Sequence, residues 1–293
     1  MLATFIEQHH LPDTFEQTIN RYYQPIAEQL LFEYQNSMKP LFVGINGCQG
    51  SGKSTFAAYL AEYLGETKSL NVVVMSLDDF YLSSSQRQQL AQSIHPLLST
   101  RGVPGTHDSE AMADIFRKFT SKTSGFLIPR FNKAMDEPYE KSLWQQISQP
   151  VDIVLFEGWC WGVEAQSTSQ LNTPINTLEK THDPEGIWRN YVNQQLKDHY
   201  QPLYQYMNYW LVLQAPSFDC VYQWRLEQEE KLAKKTKLSA TNKVMTPEQV
   251  FEFIQYFQRL TEHGIATLGQ SADGVLVLDS KRNIIDFACG ETK

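Results

Sequence analysis

Apolar residues fall along this chain in short unbroken runs, separated by longer stretches with helical spacing. LFVGI (41–45), NVVVMSL (71–77), VDIVLF (151–156), YWLVL (209–213) and GVLVLD (274–279) read as strands. Runs without polar alternation suit parallel strands covered on both faces. Helical spacing follows over 56–64, 109–119, 187–206 and 217–235. Thr246-Pro247-Glu248-Gln249 has the capping-box pattern with proline at the first helical position, and opens a helix to about residue 263. The alternation predicts an α/β fold: a doubly wound, mainly parallel five-stranded sheet flanked by helices, with right-handed crossovers. GFLIPRF (125–131) is a shorter extended segment interrupted by Pro129.

Ahead of the first strand, Phe15, Ile19, Tyr22, Tyr23, Ile26, Leu30 and Leu31 recur at helical spacing, with a break expected near Pro25. Residues 1–39 therefore read as a helical N-terminal extension, and 40–293 as one domain without internal repeats. The polar stretch 162–186, with two prolines, is the candidate for a mobile flap. Composition changes this picture little. At 42% apolar and 20% charged the 293 residues are ordinary globular material, and the net charge of −8 argues against general affinity for nucleic acid or anionic membranes. Cys48, Cys160, Cys220 and Cys289 form no C-x-x-C pair, so neither a zinc site nor a disulfide framework is expected. No basic region followed by an apolar stretch opens the chain and no 18-residue apolar run occurs in it, so a cytoplasmic protein is expected.

Chemistry enters where the first strand ends. GINGCQGSGKST (44–55) contains Gly47-x-x-x-x-Gly52-Lys53-Ser54, the phosphate-binding loop, in the strand–loop–helix context that gives the pattern meaning. Gly47, Gly50 and Gly52 let the backbone approach a polyphosphate, so N–H groups at a helix start can point at the anion. Lys53 adds a cation for the outer phosphates, and the Ser54 hydroxyl can ligate Mg²⁺. Gln49, Ser51 and Thr55 complete the set expected to contact a nucleoside triphosphate.

Asp78-Asp79-Phe80-Tyr81 follows the second strand, at the carboxyl edge where open α/β sheets bind ligands. A carboxylate there can accept the proton of an attacking hydroxyl, while the second acid pairs or caps nearby. Tyr81 would then border the acceptor. Glu157, ending VDIVLF, has the position of a second metal-side carboxylate, where phosphate-loop enzymes use Asp. Residues 217–245 gather Arg225, Lys231, Lys234, Lys235, Lys237 and Lys243 in an acidic protein. They form either a solvated helix face or a lid whose cations cover the transferring phosphoryl group. Arg225 is the strongest member.

Two loops, RGVPGTHD (101–108) and PRFNK (129–133), carry Arg101, His107, Arg130 and Lys133. Cations kept near an acceptor pocket suggest an acceptor bearing a carboxylate or phosphate. His107 with Asp108 belongs either to that pocket or to the start of the next helix, which Asp108 or Ser109 can cap. Trp159 either walls the pocket or packs in the core.

Together GINGCQGSGKST, LDDFY, RGVPGTHD, PRFNK, LFEGW and VYQWRL, in that order from about residue 41 to 279, resemble the D-glycerate 3-kinase family of plants and its fungal and bacterial relatives. That family is itself similar to uridine kinase, phosphoribulokinase and bacterial pantothenate kinase. The resemblance implies a P-loop kinase domain over 40–293, with ATP and Mg²⁺ as cofactors. It selects Asp78 over Asp79 as base, matches Ser54 and Glu157 to the magnesium side, and matches Arg225 to the first lid arginine. Its implied reaction is phosphorylation of D-glycerate to 3-phosphoglycerate, with Asp78, Lys53 and Arg225 catalytic. Tyr81, Arg101, His107, Asp108, Arg130, Lys133 and Trp159 stand on the acceptor side. The stretch NKAMDEPY after PRF is thinner in cations than in related sequences, which leaves a nucleoside or pantothenate-like acceptor as the alternative. A phosphate-loop NTPase acting on a protein partner is the third reading. Guanine specificity is disfavoured, because Asn242-Lys243-Val244-Met245 misses the last position of N-K-x-D.

Overall fold

The computed structural model describes residues 2–37, 40–236 and 245–290, with side chains throughout except at 231–236. Its strands are β1 (Leu41–Gly47), β2 (Val72–Ser76), β3 (Phe126–Ile128), β4 (Phe131–Asn132), β5 (Glu137–Pro138), β6 (Gln145–Ile147), β7 (Ile153–Gly158), β8 (Tyr209–Gln214), β9 (Gly274–Leu278) and β10 (Ile284–Cys289). The main sheet has six strands in the order β10-β9-β8-β1-β7-β2. β1 lies at its interior, parallel to both β7 and β8, and every residue of β1 and β7 is buried. The five strands read from the apolar runs are all present and mutually parallel. β10 is the addition: it turns back antiparallel on β9 after a tight loop in which the Asp279 carboxylate accepts from the backbone N–H of Lys281 and of Asn283, both at 2.8 Å.

Helices cover both faces. On one, Lys53–Lys68 packs with the N-terminal segment, whose Phe5, Ile19, Ile26 and Leu30 share a buried cluster with Val43, Ile45, Phe56 and Leu60. Pro25 does not break that segment. A single π-helical turn, Ile19–Tyr23, precedes Gln24–Asn36, where the proline sits in the first turn and no backbone donor is missed. On the other face Ser109–Thr120 and Pro247–Thr267 bury Phe116, Phe119, Phe257 and Leu260 against β7, β8 and their neighbours. Between β2 and β7 the chain makes an excursion of two small antiparallel pairs, β3 with β6 and β4 with β5.

The stretch 162–186, expected as a mobile flap, is instead pinned down. Short helices Thr168–Leu171 and Thr177–His182 form within it, and two buried acids anchor it. Glu179 accepts from Arg259 Nε at 2.7 Å and Nη2 at 2.6 Å, and Asp183 pairs with Arg189 Nη1 at 2.9 Å. A polar composition signalled a loop, but its two buried acids are taken up, Glu179 by Arg259 eighty positions away and Asp183 by Arg189 just beyond the segment. Arg259 also donates to the carbonyls of Gln170 and Thr173, so it closes the segment onto the Pro247–Thr267 helix. Removing one member of such a buried pair strands the other charge. Glu179→Ala is therefore expected to lower the unfolding free energy by roughly 3–5 kcal/mol in urea denaturation. A loss below about 1 kcal/mol would show that the pair does not hold the segment.

Candidate active site

β1 delivers the phosphate loop to the carboxyl edge of the sheet. Gly50 and Gly52 have φ of 80° and 93°, a region L side chains avoid, and a Cβ at Gly50 would lie 2.7 Å from Cβ of Trp224. Glycine at 50 therefore lets the Phe218–Thr236 helix approach the loop. Lys53 opens the Lys53–Lys68 helix, with Ser54 and Thr55 in its first turn. Ser54 Oγ donates to Glu157 Oε1 at 2.8 Å, and Lys53 Nζ is 3.6 Å from Glu157 Oε2. That second oxygen, the Gln49 Oε1 and the Ser51 Oγ are buried without a hydrogen-bond partner. Of these, the Ser51 hydroxyl can donate to a bound phosphate and the Glu157 oxygen can ligate its metal.

A hydroxyl beside a carboxylate with a free buried oxygen fits Mg²⁺, which takes one or two protein oxygens and fills its remaining positions with water and phosphate. Among the described residues no group of three or more His, Cys, Asp and Glu gathers to hold a metal by itself.

β2, next to β7 in the sheet, ends in the acid pair, and the two acids part there. Asp78 accepts from Tyr81 OH at 2.8 Å and from Lys133 Nζ at 2.5 Å. Burial raises its carboxyl, but Lys133 and Lys53 outweigh that, and the group stays ionised well below the usual carboxylate range. Lys53 shows the reciprocal effect. Burial pulls its ammonium down, while Glu157 and then Asp78 carry it above the ordinary lysine value. Asp79 turns the other way, to Arg130 Nη1 at 2.5 Å and the backbone N–H of Phe131 at 3.3 Å; burial raises its carboxyl despite those partners. Asp79 thus ties the PRF loop down, and Asp78 is the acid that senses Lys53.

The cations expected on the acceptor side arrive already paired. Arg130 also bonds Gln145, and Arg101 pairs with Asp136 while lying 5.9 Å and 5.6 Å from the Tyr81 and Phe131 ring centroids. Asp136 was not anticipated from the sequence. It sits at the turn between β4 and β5 with φ of 59°, and its other oxygen takes the buried Arg87 at 2.6 Å. Arg87 was equally invisible, hidden in a polar, Gln-rich stretch. His107 is buried, stacked on Tyr81 at 4.5 Å, with Nδ1 2.7 Å from Tyr200 OH. The Tyr200 oxygen also accepts from the Gly105 N–H at 3.3 Å, and the His107 Nε2 is buried without a partner.

Two expected acceptor residues are placed elsewhere. The Asp108 carboxylate is exposed and caps Ser109–Thr120 by accepting from the Ala111 N–H at 2.9 Å, so it is spent on the helix start. Trp159 is buried, donates its indole N–H to the Gly102 carbonyl at 2.9 Å and meets Phe257 edge-on, bracing the 101–108 loop from behind. Arg225 pairs with Glu229, faces the Phe253 ring at 5.7 Å and has a buried Nε without partner. Of the other cations read from residues 217–245, the side chains of Lys231, Lys234 and Lys235 and all of Lys237 and Lys243 lie outside the described residues.

A parallel sheet feeding a phosphate loop, with acids on neighbouring strand ends and an arginine-bearing helix beside the loop, defines the P-loop kinases. Comparison with known proteins narrows the class. The uncharacterized kinase mug58 of Schizosaccharomyces pombe is 33% identical over 75% of this chain and 79% of its own length. The chloroplastic D-glycerate 3-kinase of Arabidopsis thaliana is 27% identical over 85% of this chain, which spans 54% of that longer protein. The D-glycerate 3-kinase of Cryptococcus neoformans superposes with a TM-score of 0.74 at 26% identity, covering 95% of this chain and 99% of that one. No protein-family model matches the chain. This chain belongs to the D-glycerate 3-kinase family. It is an ATP-dependent kinase, a phosphotransferase acting on an alcohol group of a small molecule.

Burial pushes the His107 imidazole down to about 3, so it is neutral wherever the enzyme is assayed. An unfolded histidine titrates near about 6.5. Between those values the unfolded chain binds the extra proton, so this stabilisation is complete above pH ~6.5 and lost as pH falls toward ~3. Unfolding free energy is expected to drop below pH ~6.5 more steeply in the wild type than in His107→Gln. Equal slopes would contradict a buried neutral ring.

Proposed function

We propose that this kinase transfers the γ-phosphoryl group of ATP to the terminal hydroxyl of D-glycerate, giving 3-phosphoglycerate, with Mg²⁺ as its metal. The observation that carries this reading is the place of Asp78, a buried-edge carboxylate under the field of Lys53 from the donor side and bonded to Lys133 from the acceptor side. The names of the plant and Cryptococcus relatives support the choice of acceptor. A cytoplasmic enzyme is part of the proposal, in keeping with four free cysteines; no helix among the described residues is long and apolar enough to cross a membrane.

In the proposed reaction the acceptor hydroxyl gives its proton to Asp78 as its oxygen bonds to the γ-phosphorus and the bond to ADP breaks. Lys53 and Arg225 stabilise the charge spread over the transferring oxygens. The loop from Gly47 to Thr55, with Gln49, Gly50, Ser51 and Gly52, cradles the phosphates. Ser54 and Glu157 would hold Mg²⁺, which would supply further neutralisation of the phosphate charge. Residues 217–245 are read as the lid, supported by the contact of Trp224 with the phosphate loop. Lys133, Arg101 and Arg130 orient the acceptor carboxylate, with the neutral His107 beside them and Tyr81 holding Asp78. One observation favours a second reading, a less acidic hydroxyl metabolite: Arg101 and Arg130 are already neutralised by Asp136 and Asp79.

A coupled ADP-release assay across hydroxy acids separates the two. Turnover with D-glycerate is expected; turnover only with another alcohol would keep the kinase and reject this acceptor. Asp78→Asn is expected to bind ATP normally and lose about a hundredfold or more in kcat. Near-normal kcat in that variant would remove Asp78 as the base.

A further inference from the structure

Both oxygens of Asp78 are occupied. Oδ1 takes the Tyr81 hydroxyl at 2.8 Å and Oδ2 takes the Lys133 ammonium at 2.5 Å. A carboxylate so engaged has its Oδ2 blocked for an acceptor proton. The two partners differ in their freedom to leave. Tyr81 is buried, stacked on His107 and edge-on to Phe131. The Lys133 side chain is 60% exposed, and an exposed ion pair is easily exchanged for another. Its backbone, by contrast, is anchored. The Lys133 carbonyl accepts from Arg101 Nη2 at 3.4 Å, and Arg101 is tied through Asp136 to the buried Arg87. Only the side chain of Lys133 is therefore at liberty to swing.

We propose that Lys133 gates the base. Its ammonium covers Asp78 until the carboxylate of an incoming hydroxy acid draws it away, so transfer is reserved for alcohols that carry an acid group. This rests on the reading that Asp78 accepts the hydroxyl proton. Among the acceptor-side cations Lys133 alone both touches Asp78 and is more than half exposed. When it moves to the acceptor carboxylate, one charge-assisted bond replaces another, and Oδ2 faces the hydroxyl. The hydroxyl proton then passes to Oδ2 as the oxygen–phosphorus bond forms and ADP departs with the electrons of the broken bond. Without an acid group on the acceptor, Lys133 stays in place. Water and plain alcohols then meet a covered base, which protects ATP from idle hydrolysis.

The test uses ATP alone, and ATP with glycerol, which matches glycerate but lacks its carboxylate. Lys133→Met keeps the length and removes the charge. Its ATP hydrolysis without acceptor, and its phosphorylation of glycerol, are expected to rise at least about fivefold, because the base is uncovered. Its kcat/KM for D-glycerate is expected to fall about tenfold or more, because a charge-assisted bond to the acid is lost. Adding Asp78→Asn to Lys133→Met should abolish the rise. If hydrolysis and glycerol turnover stay level or fall in Lys133→Met, Lys133 only binds acid and the gate is wrong. A rise that persists without Asp78 would overturn it too. Absence of D-glycerate turnover in the wild type would instead reject the acceptor, and the hydrolysis measurement would still judge the gate.

Discussion

Asp78 is held ionised between a lysine of the phosphate loop and a lysine of the β4–β5 turn, and the site is built around maintaining that arrangement. A lone carboxylate at a half-covered strand end would have its proton affinity raised by burial. Here the two ammonium groups reverse that. Sheet order makes this possible: β1, β7 and β2 are neighbours, so Lys53, Glu157 and Asp78 emerge side by side at one edge. The Ser54–Glu157 bond then couples the loop to β7 with no intervening residue.

The proposed acceptor side is assembled differently, from loops that hold one another. Asp79 fixes the PRF loop through Arg130, and Asp136 clasps Arg87 and Arg101, so each cation has a counter-charge from a different segment. The Pro247–Thr267 helix braces the assembly from behind. Phe253 lies under Arg225, Phe257 packs on Trp159, and Arg259 holds Glu179. One rod thus touches the Phe218–Thr236 helix, the support of the 101–108 loop and the 162–186 segment. A Cβ on Gly102, whose φ is 137°, would clash with the Phe257 ring, which explains a glycine in that loop.

The donor side was legible in the sequence because its chemistry is local. A phosphate loop is a contiguous pattern, and Asp78 and Glu157 end apolar runs that announce buried strands. The parallel strands were legible for the same reason, whereas β10 was not, since its residues alternate weakly and follow a turn set by Asp279. What escaped were pairings between distant residues. Tyr200 meets His107 from 93 positions away, and Asp136 meets Arg87 from 49. Asp108 was legible both ways, as a pocket residue by its motif and as the cap of the next helix, and the helix claims its carboxylate. The 162–186 segment misled for a related reason, because polar residues count as loop-forming until their buried partners are known.

The central claim is that an acid-bearing alcohol binds between Lys53 and Lys133 over Asp78. Thermal unfolding of the protein loaded with Mg²⁺ and a non-hydrolysable ATP analogue, with D-glycerate or glycerol added, tests it most directly, because ligands that bind the folded state raise its melting temperature. D-glycerate is expected to raise Tm above the nucleotide-loaded value while glycerol at the same concentration leaves it unchanged. Equal shifts with both, or none with D-glycerate, would contradict the account.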